Sequence, residues 1–232
     1  MAAQFDATGD RFFRVAASSV PQRVPYTMCC FVRVDADVNT DEIIFMRYGD
    51  AAGGIRQGAF IDLISSPAEI KSSAQSSGSD SSLTTLTPGD GTWRHVAVRI
   101  TQGDGQLDTQ GFLNGVAAGA QIASTQEADT SASIAVGSSG VAAPACSIAH
   151  WRIWEASLSD ADILAESASL TPVRSANLWA DYRFESGSLT VDSSGNSRDL
   201  TSNGTPTFVA DPTLSTSSIP VILHHLRQQG IA

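Results

Sequence analysis

Short apolar runs recur along the chain at a spacing typical of β-strands, and clusters of Gly, Ser and Asp separate them. The run Tyr26 to Asp35 (YTMCCFVRVD) has an unbroken apolar middle, which predicts a strand covered on both faces. Strands at this spacing favour an antiparallel sandwich or barrel. The other predicted strands are Glu42 to Tyr48, Gly58 to Ile64, Trp93 to Thr101, Gln110 to Asn114, Ser133 to Val136 and Ser147 to Trp154. The residues expected to be largely buried between two antiparallel sheets are Trp93, Val96, Val98, Ile148, Trp151 and Ile153.

Turn residues predict how two of the intervening segments behave. In GFLNGVAAG, Asn114 and Gly115 supply the two positive-φ residues of a tight hairpin turn between apolar flanks. The segment Ser72 to Ser82 (SSAQSSGSDSS) has almost no apolar side chain, so we expect an exposed loop there.

One internal helix is predicted, from Ser159 to Ser167 (SDADILAES). Ser159 can accept hydrogen bonds from the first-turn amides, and Asp162 follows it at the spacing of a capping box. Ile163 and Leu164 would face the sandwich. Because helix capping explains these acids, they need no catalytic role.

Composition limits the classes of protein that fit. With 42% hydrophobic and 16% charged residues, 232 residues can bury a core. The net charge of −10 argues against a nucleic-acid surface, which needs clustered Lys and Arg. Lys71 is the only lysine, so no polybasic membrane patch exists, and no apolar run approaches the ~20 residues that span a bilayer. Met1 to Asp6 also lacks the features of a secretory signal, so we expect no export by that route.

Three cysteines are present, and Cys29 and Cys30 are adjacent. They fit no disulfide framework and no CxxC metal spacing. They are interpreted as small buried apolar side chains. A bond from Cys29 or Cys30 to Cys146 is the alternative.

Five segments follow one another in the order of a known set of motifs. The segments are Phe5 to Asp10 (like "FDGTxD"), YTMCCFVRV (like "FTISAWVR"), Gly91 to Val98 (GTWRHVAV, like "GTWHHVAV"), Phe112 to Gly115 (like "LYVDG") and Ile148 to Leu164 (like "IDDVRIYNRALSDAEI"). With these segments the chain resembles the laminin-G-like or pentraxin-like branch of the concanavalin A-like lectin/glucanase superfamily. The resemblance covers roughly residues 4 to 168 and implies a two-sheet antiparallel jelly-roll sandwich with one short helix.

A further piece, Leu178 to Val209, resembles "LVAYYPFDEG…DSSGNGNDLT…GTPTF" of the same group. In many relatives this piece precedes the jelly roll, whereas here it follows the helix. Its few aromatic residues are too small a set for a separate core, so we expect added edge strands. We therefore predict one domain over residues 1–211, followed by a linker and docking tail over 212–232.

Catalytic patterns are missing from the sequence. Glucanases of this superfold resemble one another in a strand with ExDxE spacing, which places two carboxylates in one cleft, and this chain has no such strand. There is no GxSxG motif either. His95 and His150 each lie beside a Trp on a predicted strand and are interpreted as structural, while the adjacent His224 and His225 are a weak metal pair. We predict that the protein is not an enzyme.

Calcium and sugar follow from the resemblance alone. Lectin-like members often hold calcium at the sandwich rim, and Asp192 and Asn196 offer oxygens in one turn, although an Asx turn explains the same residues. The loop Tyr48 to Asp50 is a less specific candidate. No metal is therefore predicted. All four Trp residues fall in predicted core strands, so no sugar platform is located.

The C-terminal tail carries more aliphatic residues than a solvated tail would. We therefore predict that it docks on a protein partner. The predicted docking residues are Val221, Ile222, Leu223, Leu226 and Ile231, with a helical turn over Val221 to Gln229.

Together these features predict a non-catalytic structural and binding module. The first hypothesis is a virion component similar to the laminin-G-like domains of bacteriophage structural proteins, used as a capsid decoration, tail or fibre protein. Its partners would be other subunits in a homo-oligomer or larger assembly, and a surface glycan. The alternative is an extracellular or cell-surface bacterial lectin or adhesin. Nucleic acid and membrane insertion are not expected.

Overall fold

The computed structural model describes residues 1–5, 11–15, 25–35, 42–48, 56–62, 67–75, 80–85, 87–103, 106–124, 133–137 and 146–214. These residues form fifteen strands and one helix. The elements are β1 (Ala2–Phe5), β2 (Arg11–Val15), β3 (Tyr26–Val34), β4 (Glu42–Tyr48), β5 (Arg56–Asp62), β6 (Glu69–Gln75), β7 (Asp80–Thr85), β8 (Arg94–Gly103), β9 (Gln106–Leu113), β10 (Val116–Ser124), β11 (Ser133–Gly137), β12 (Cys146–Trp154), α1 (Asp160–Ser167), β13 (Leu178–Tyr182), β14 (Thr201–Asn203) and β15 (Thr207–Val209).

The strands form two antiparallel sheets. Sheet A has the order β10-β9-β8-β3-β12-β1-β15, and β13 pairs with the second half of β12. Sheet B has the order β14-β2-β11-β4-β5-β6-β7. The predicted all-β jelly-roll sandwich with one helix is therefore confirmed.

The apolar run of β3 is explained by burial on both of its faces. Met28, Cys30 and Val32 point into the core between the sheets. Cys29 and Phe31 point to the outer face of sheet A, where separate apolar clusters cover them. A strand buried on both faces has no need for the alternation of polar and apolar residues.

Most of the predicted core lies between the sheets, but Trp93 does not. It precedes β8, is only partly buried, and packs on the outer face of sheet A with Arg33 stacked 5.2 Å from its ring centre. The predicted core residues that are buried between the sheets are Val96, Val98, Ile148, Trp151 and Ile153.

The prediction of an exposed loop over Ser72 to Ser82 is wrong for most of that segment. Residues 72–75 belong to β6 and residues 80–82 to β7, and Ser72, Ser73 and Ser81 are buried. The sheets approach closely here, because a Cβ added to Gly111 would lie 3.1 Å from the Ser72 Cβ and would overlap the Leu83 side chain. Serine is small enough for this spacing, and its hydroxyl can bond the neighbouring strand, as Ser72 Oγ does to the Ser81 carbonyl at 3.5 Å.

Two local predictions are confirmed in detail. Asn114 and Gly115 have φ values of 50° and 82° in the turn between β9 and β10. Ser159 caps α1, because its hydroxyl accepts from the Asp162 amide at 3.1 Å and the Asp162 carboxylate accepts from the Ser159 amide at 3.2 Å.

The segment after the helix adds strands to both sheets. β13 pairs with β12, β14 with β2 in sheet B, and β15 with β1 in sheet A. Residues 201–209 thus cross from one sheet to the other at the same edge of the sandwich. Leu214, the last described residue, packs against an apolar cluster on sheet A.

The three cysteines are buried and form no disulfide, so the alternative of a disulfide to Cys146 is wrong. The strand register explains this, because Cys146 lies opposite Val34 on β3, four residues beyond Cys30. Burial raises the pKa of Cys30 well above its usual value.

Candidate functional site

The outer face of sheet A is covered in two places. Over one half, the segment that contains α1 packs its apolar residues on the sheet. The cluster contains Cys29, Ala97, Phe112, Trp154, Ala156, Leu158 and Ile163. Over the other half, Phe31 and Ala149 form a second cluster with Ala2, Trp93, Leu170, Val209 and Leu214.

The helix acids have structural partners. Asp160 pairs with Arg99 at 2.6 Å, and Asp162 completes the helix cap. Glu166 is buried and pairs with the equally buried Arg152 at 2.6 Å. Burial raises the pKa of Glu166, and the Arg152 guanidinium partly offsets this rise. Asp160 and Glu166 therefore hold the helix on sheet A, while Asp162 caps it.

The outer face of sheet B carries a different kind of surface. On β5, Ala59 and Ile61 point into the core, so Phe60 and Asp62 point away from it. Strand register places Phe60 opposite Lys71, and Asp62 opposite Glu69. Ser82 on β7 lies opposite Lys71 on the other side. We call these five residues, Phe60, Asp62, Glu69, Lys71 and Ser82, the polar face.

Hydrogen bonds join four of these side chains. Lys71 Nζ donates to Asp62 Oδ2 at 2.5 Å and lies 3.4 Å from Glu69 Oε2. Ser82 Oγ donates to Glu69 Oε1 at 2.9 Å. The hydrogen bond to Asp62 is the main reason why the pKa of Lys71 is raised, so the ammonium stays charged across the physiological range. The Lys71 side chain is only 20% exposed, and its two ion pairs fix the position of the charge.

This arrangement can bind a ligand with several hydroxyl groups. An ammonium has three N–H donors, and carboxylates accept hydrogen bonds from hydroxyls. The Phe60 ring, which is partly exposed beside Lys71, offers an apolar surface next to them. Four of the five residues belong to β5 and β6, whose pairing brings them together.

Sequence reasoning did not find this face. Lys71 is the only lysine in the sequence, and this rarity is the signal that could have drawn attention to the polar face. Its neighbours could not be identified, because β6 and β7 were not predicted as strands and the register was therefore unknown.

The weak calcium candidates form a turn that uses its own oxygens. Asp192 Oδ1 accepts from the amides of Asp181 and Ser194, and its Oδ2 accepts from the Ser194 hydroxyl and the Arg198 amide. The amide group of Asn196 donates to main-chain carbonyls of β13. The contact of Asp192 Oδ1 with the Ser194 amide is that of an Asx turn, and the Asp181 and Asn196 contacts tie this turn to β13. Within the described ranges, no group of three or more metal-binding side chains occurs.

Several candidate residues lie outside the described residues. These include Gly49 and Asp50, the histidines at 224 and 225, the helical turn over 221–229, and the docking residues Val221, Ile222, Leu223, Leu226 and Ile231. Among the described helices, none is long and apolar enough to span a membrane.

A comparison with known families matches residues 7–164 to the one described as the concanavalin A-like lectin/glucanases superfamily. A comparison with curated proteins finds no match.

Solved structures with the same fold have little sequence in common with this chain. The native heptameric SAP-like pentraxin from Limulus polyphemus is 11% identical with a TM-score of 0.55, over 75% of this chain and 83% of that chain. The Trypanosoma rangeli sialidase in complex with the inhibitor DANA is 13% identical with a TM-score of 0.57, over 72% of this chain and 27% of the sialidase. The binding domain of Botulinum neurotoxin DC in complex with SialylT is 14% identical with a TM-score of 0.51, over 72% of this chain and 42% of that chain. At these identities the similarity shows the fold.

Proposed function

Because the chain belongs to the concanavalin A-like lectin/glucanases superfamily, we propose that it is a non-catalytic binding module whose polar face takes up a sugar. The observation that supports this most is the Lys71 ammonium held between the Asp62 and Glu69 carboxylates beside Phe60. The acids of α1 are engaged in capping and ion pairs, so they support no hydrolytic role.

A sugar suits the chemistry of this face. Hydroxyl groups can donate to the carboxylates and accept from the ammonium, and a pyranose ring can stack its C–H face on Phe60. The Lys71 side chain is already held in place by two ion pairs, so less conformational entropy is lost when a ligand binds. Support also comes from the binding domain of Botulinum neurotoxin DC in complex with SialylT, 42% of which is similar in fold to this chain.

The test is glycan-array screening of the full chain, followed by calorimetry with the best sugar. Lys71→Met should weaken binding at least tenfold without changing the melting temperature by more than a few degrees. Asp160→Asn, an exposed acid on the covered side of the molecule, is the matched control and should bind as the parent does. Equal affinity of Lys71→Met and the parent would refute the assignment of the polar face.

This binding is proposed to need no metal, because a lysine supplies the positive charge at the polar face. A chelator should therefore leave the affinity for the sugar unchanged. A loss of affinity that added calcium restores would show that a cation takes part.

Assembly is a second proposed function, namely a structural component of a virus particle. The aliphatic residues of the tail support it, and so does the fold shared with a pentraxin described as heptameric. Native mass spectrometry should find a stable homo-oligomer. A monomer that binds sugar would favour the alternative of an extracellular or cell-surface lectin.

A further inference from the structure

Two buried histidines flank Phe31 on the outer face of sheet A. His95 on β8 lies directly opposite Phe31, with ring centres 5.1 Å apart. His150 lies on the other side, where the pairing of β12 with β3 shifts register, and its ring centre is 6.3 Å from that of Phe31. His150 has a φ of 52°, so the strand bends to place its ring there.

Both imidazoles are neutral groups in an apolar cluster. His95 is 2% and His150 is 5% exposed, and neither ring has a hydrogen-bond partner at either nitrogen among the described residues. Charging a buried group without a partner costs far more than leaving it neutral. The packing around Phe31 therefore favours the unprotonated form of both residues.

The charged groups around the two rings do not reverse this preference. Burial is the main cause that lowers the pKa of His95 to about 3 and that of His150 to about 4, and the Arg152 guanidinium lowers both further. The Asp211 carboxylate, 3.6 Å from His150 Nε2, acts in the opposite direction, as Asp181 does. The ammonium group at Met1 adds to the effect of Arg152.

Segment 209–214 covers this cluster together with Trp93 and Leu170, and its Asp211 faces His150. Val209 pairs with Ala2 at the edge of sheet A, and Leu214 packs against the cluster that contains Phe31. Asp211 pairs with the ammonium group of Met1 at 2.5 Å. The strand that anchors this segment, β15, has only three residues, so the segment can open locally without unfolding the sandwich.

We propose that His95 and His150 form a pH-sensitive latch, which holds segment 209–214 on sheet A at neutral pH and releases it on acidification. Opening exposes the imidazoles to water, where each binds a proton near pH 6.5. The closed state binds those protons only at much lower pH, so its stability is full above pH 6.5 and falls as the pH drops below that value. Between pH 7.5 and 5.0, each imidazole freed raises the opening constant about 30-fold, and both together about 1,000-fold.

Hydrogen exchange of the full chain, corrected for intrinsic rates, tests the latch. The peptide over 207–214 should lose protection between pH 7.5 and 5.0, whereas the central amides of β8 should keep theirs. His95→Phe with His150→Asn should abolish the change, because Phe fits beside Phe31 and Asn tolerates the positive φ. His224→Gln with His225→Gln is the matched control and should behave as the parent does.

Three results would overturn the proposal. One is equal protection of 207–214 at the two pH values. The second is a pH response that persists in the double variant of His95 and His150, since this would assign it to carboxylates. The third is loss of the response in the control variant alone. If the double variant of His95 and His150 unfolds, the single variants His95→Phe and His150→Asn are measured instead. Each of them should reduce the change in the opening constant between pH 7.5 and 5.0 about 30-fold.

Discussion

Removal of the Glu166 carboxylate should destabilise the sandwich strongly. Glu166 Oε2 accepts from Arg152 Nη1 at 2.6 Å, and both side chains are almost completely buried. Glu166 Oε1 accepts from the Val173 amide at 2.7 Å and from the Arg174 amide at 3.2 Å. Glu166→Ala therefore leaves two main-chain amides without this acceptor and removes the shortest contact of the Arg152 guanidinium, whose Nη1 keeps only the Ser169 carbonyl at 3.2 Å.

The expected loss can be estimated from these contacts. Removal of one partner of a buried ion pair costs about 3–5 kcal/mol. Arg152 keeps a longer contact of 3.4 Å from Nε to Asp181, so the lower end of that range applies. The control is Asp160→Asn, because Asp160 pairs with Arg99 at the same 2.6 Å but its side chain is 70% exposed. An exposed pair of this kind contributes less than about 1 kcal/mol.

Urea unfolding followed by tryptophan fluorescence measures both variants. The free energy of unfolding should fall by about 3 kcal/mol for Glu166→Ala and by less than about 1 kcal/mol for the control, at equal m-values. If the two variants lost equal stability, burial would not be what makes the Arg152 pair important, and the reasoning would fail.

Four further outcomes are expected. Gly111→Val should cost about 1–3 kcal/mol in urea unfolding because its side chain overlaps sheet B, and a parent-like value would contradict the close approach of the sheets. Trp151→Ala should lower the free energy of unfolding by about 3–5 kcal/mol, and Trp93→Ala should lower it clearly less, because Trp93 lies outside the main core. Equal losses in the two variants would contradict this placement of Trp93. Incubation with β-glucans, chitin and peptidoglycan should release no reducing sugar, and turnover that disappears in Glu166→Gln would show an enzyme after all. Truncation after Ser218 should leave the melting temperature unchanged and weaken any oligomer seen by light scattering. An intact oligomer with a much lower melting temperature would mean that the tail completes its own domain.

Local signals made much of the fold predictable. The boundaries of β4 are those expected from its apolar pattern, and α1 begins at Asp160, directly after the predicted cap Ser159. In such segments, the residues that determine the structure lie within a few positions of one another. A short window of sequence therefore contains the whole interaction.

The remaining features depend on distant contacts. Ser72 is buried against Gly111, and Ser81 against Gly119, on the opposite sheet, and no local pattern shows this. The polar face also lacks a local sequence signal, because Lys71 contacts Asp62 only through the pairing of β5 with β6. The sequence predicts Trp93 in the main core, whereas the structure places it on the outer face of sheet A. Apolar character alone does not tell which face of a sheet a side chain covers.

Residues 201–209 cross from sheet B to sheet A. Because of this crossing, the order of the segments along the chain does not determine which strands are neighbours in the sheets. β14 lies beside β2, and β15 lies beside β1, so the last described strands are neighbours of the first ones. The same segment placed ahead of β1 could reach the same two edges of the sheets with a short connection. The chain could therefore begin at more than one position in this set of strands. A circular permutation that places β14 and β15 ahead of β1 changes the connectivity while every strand pairing is kept.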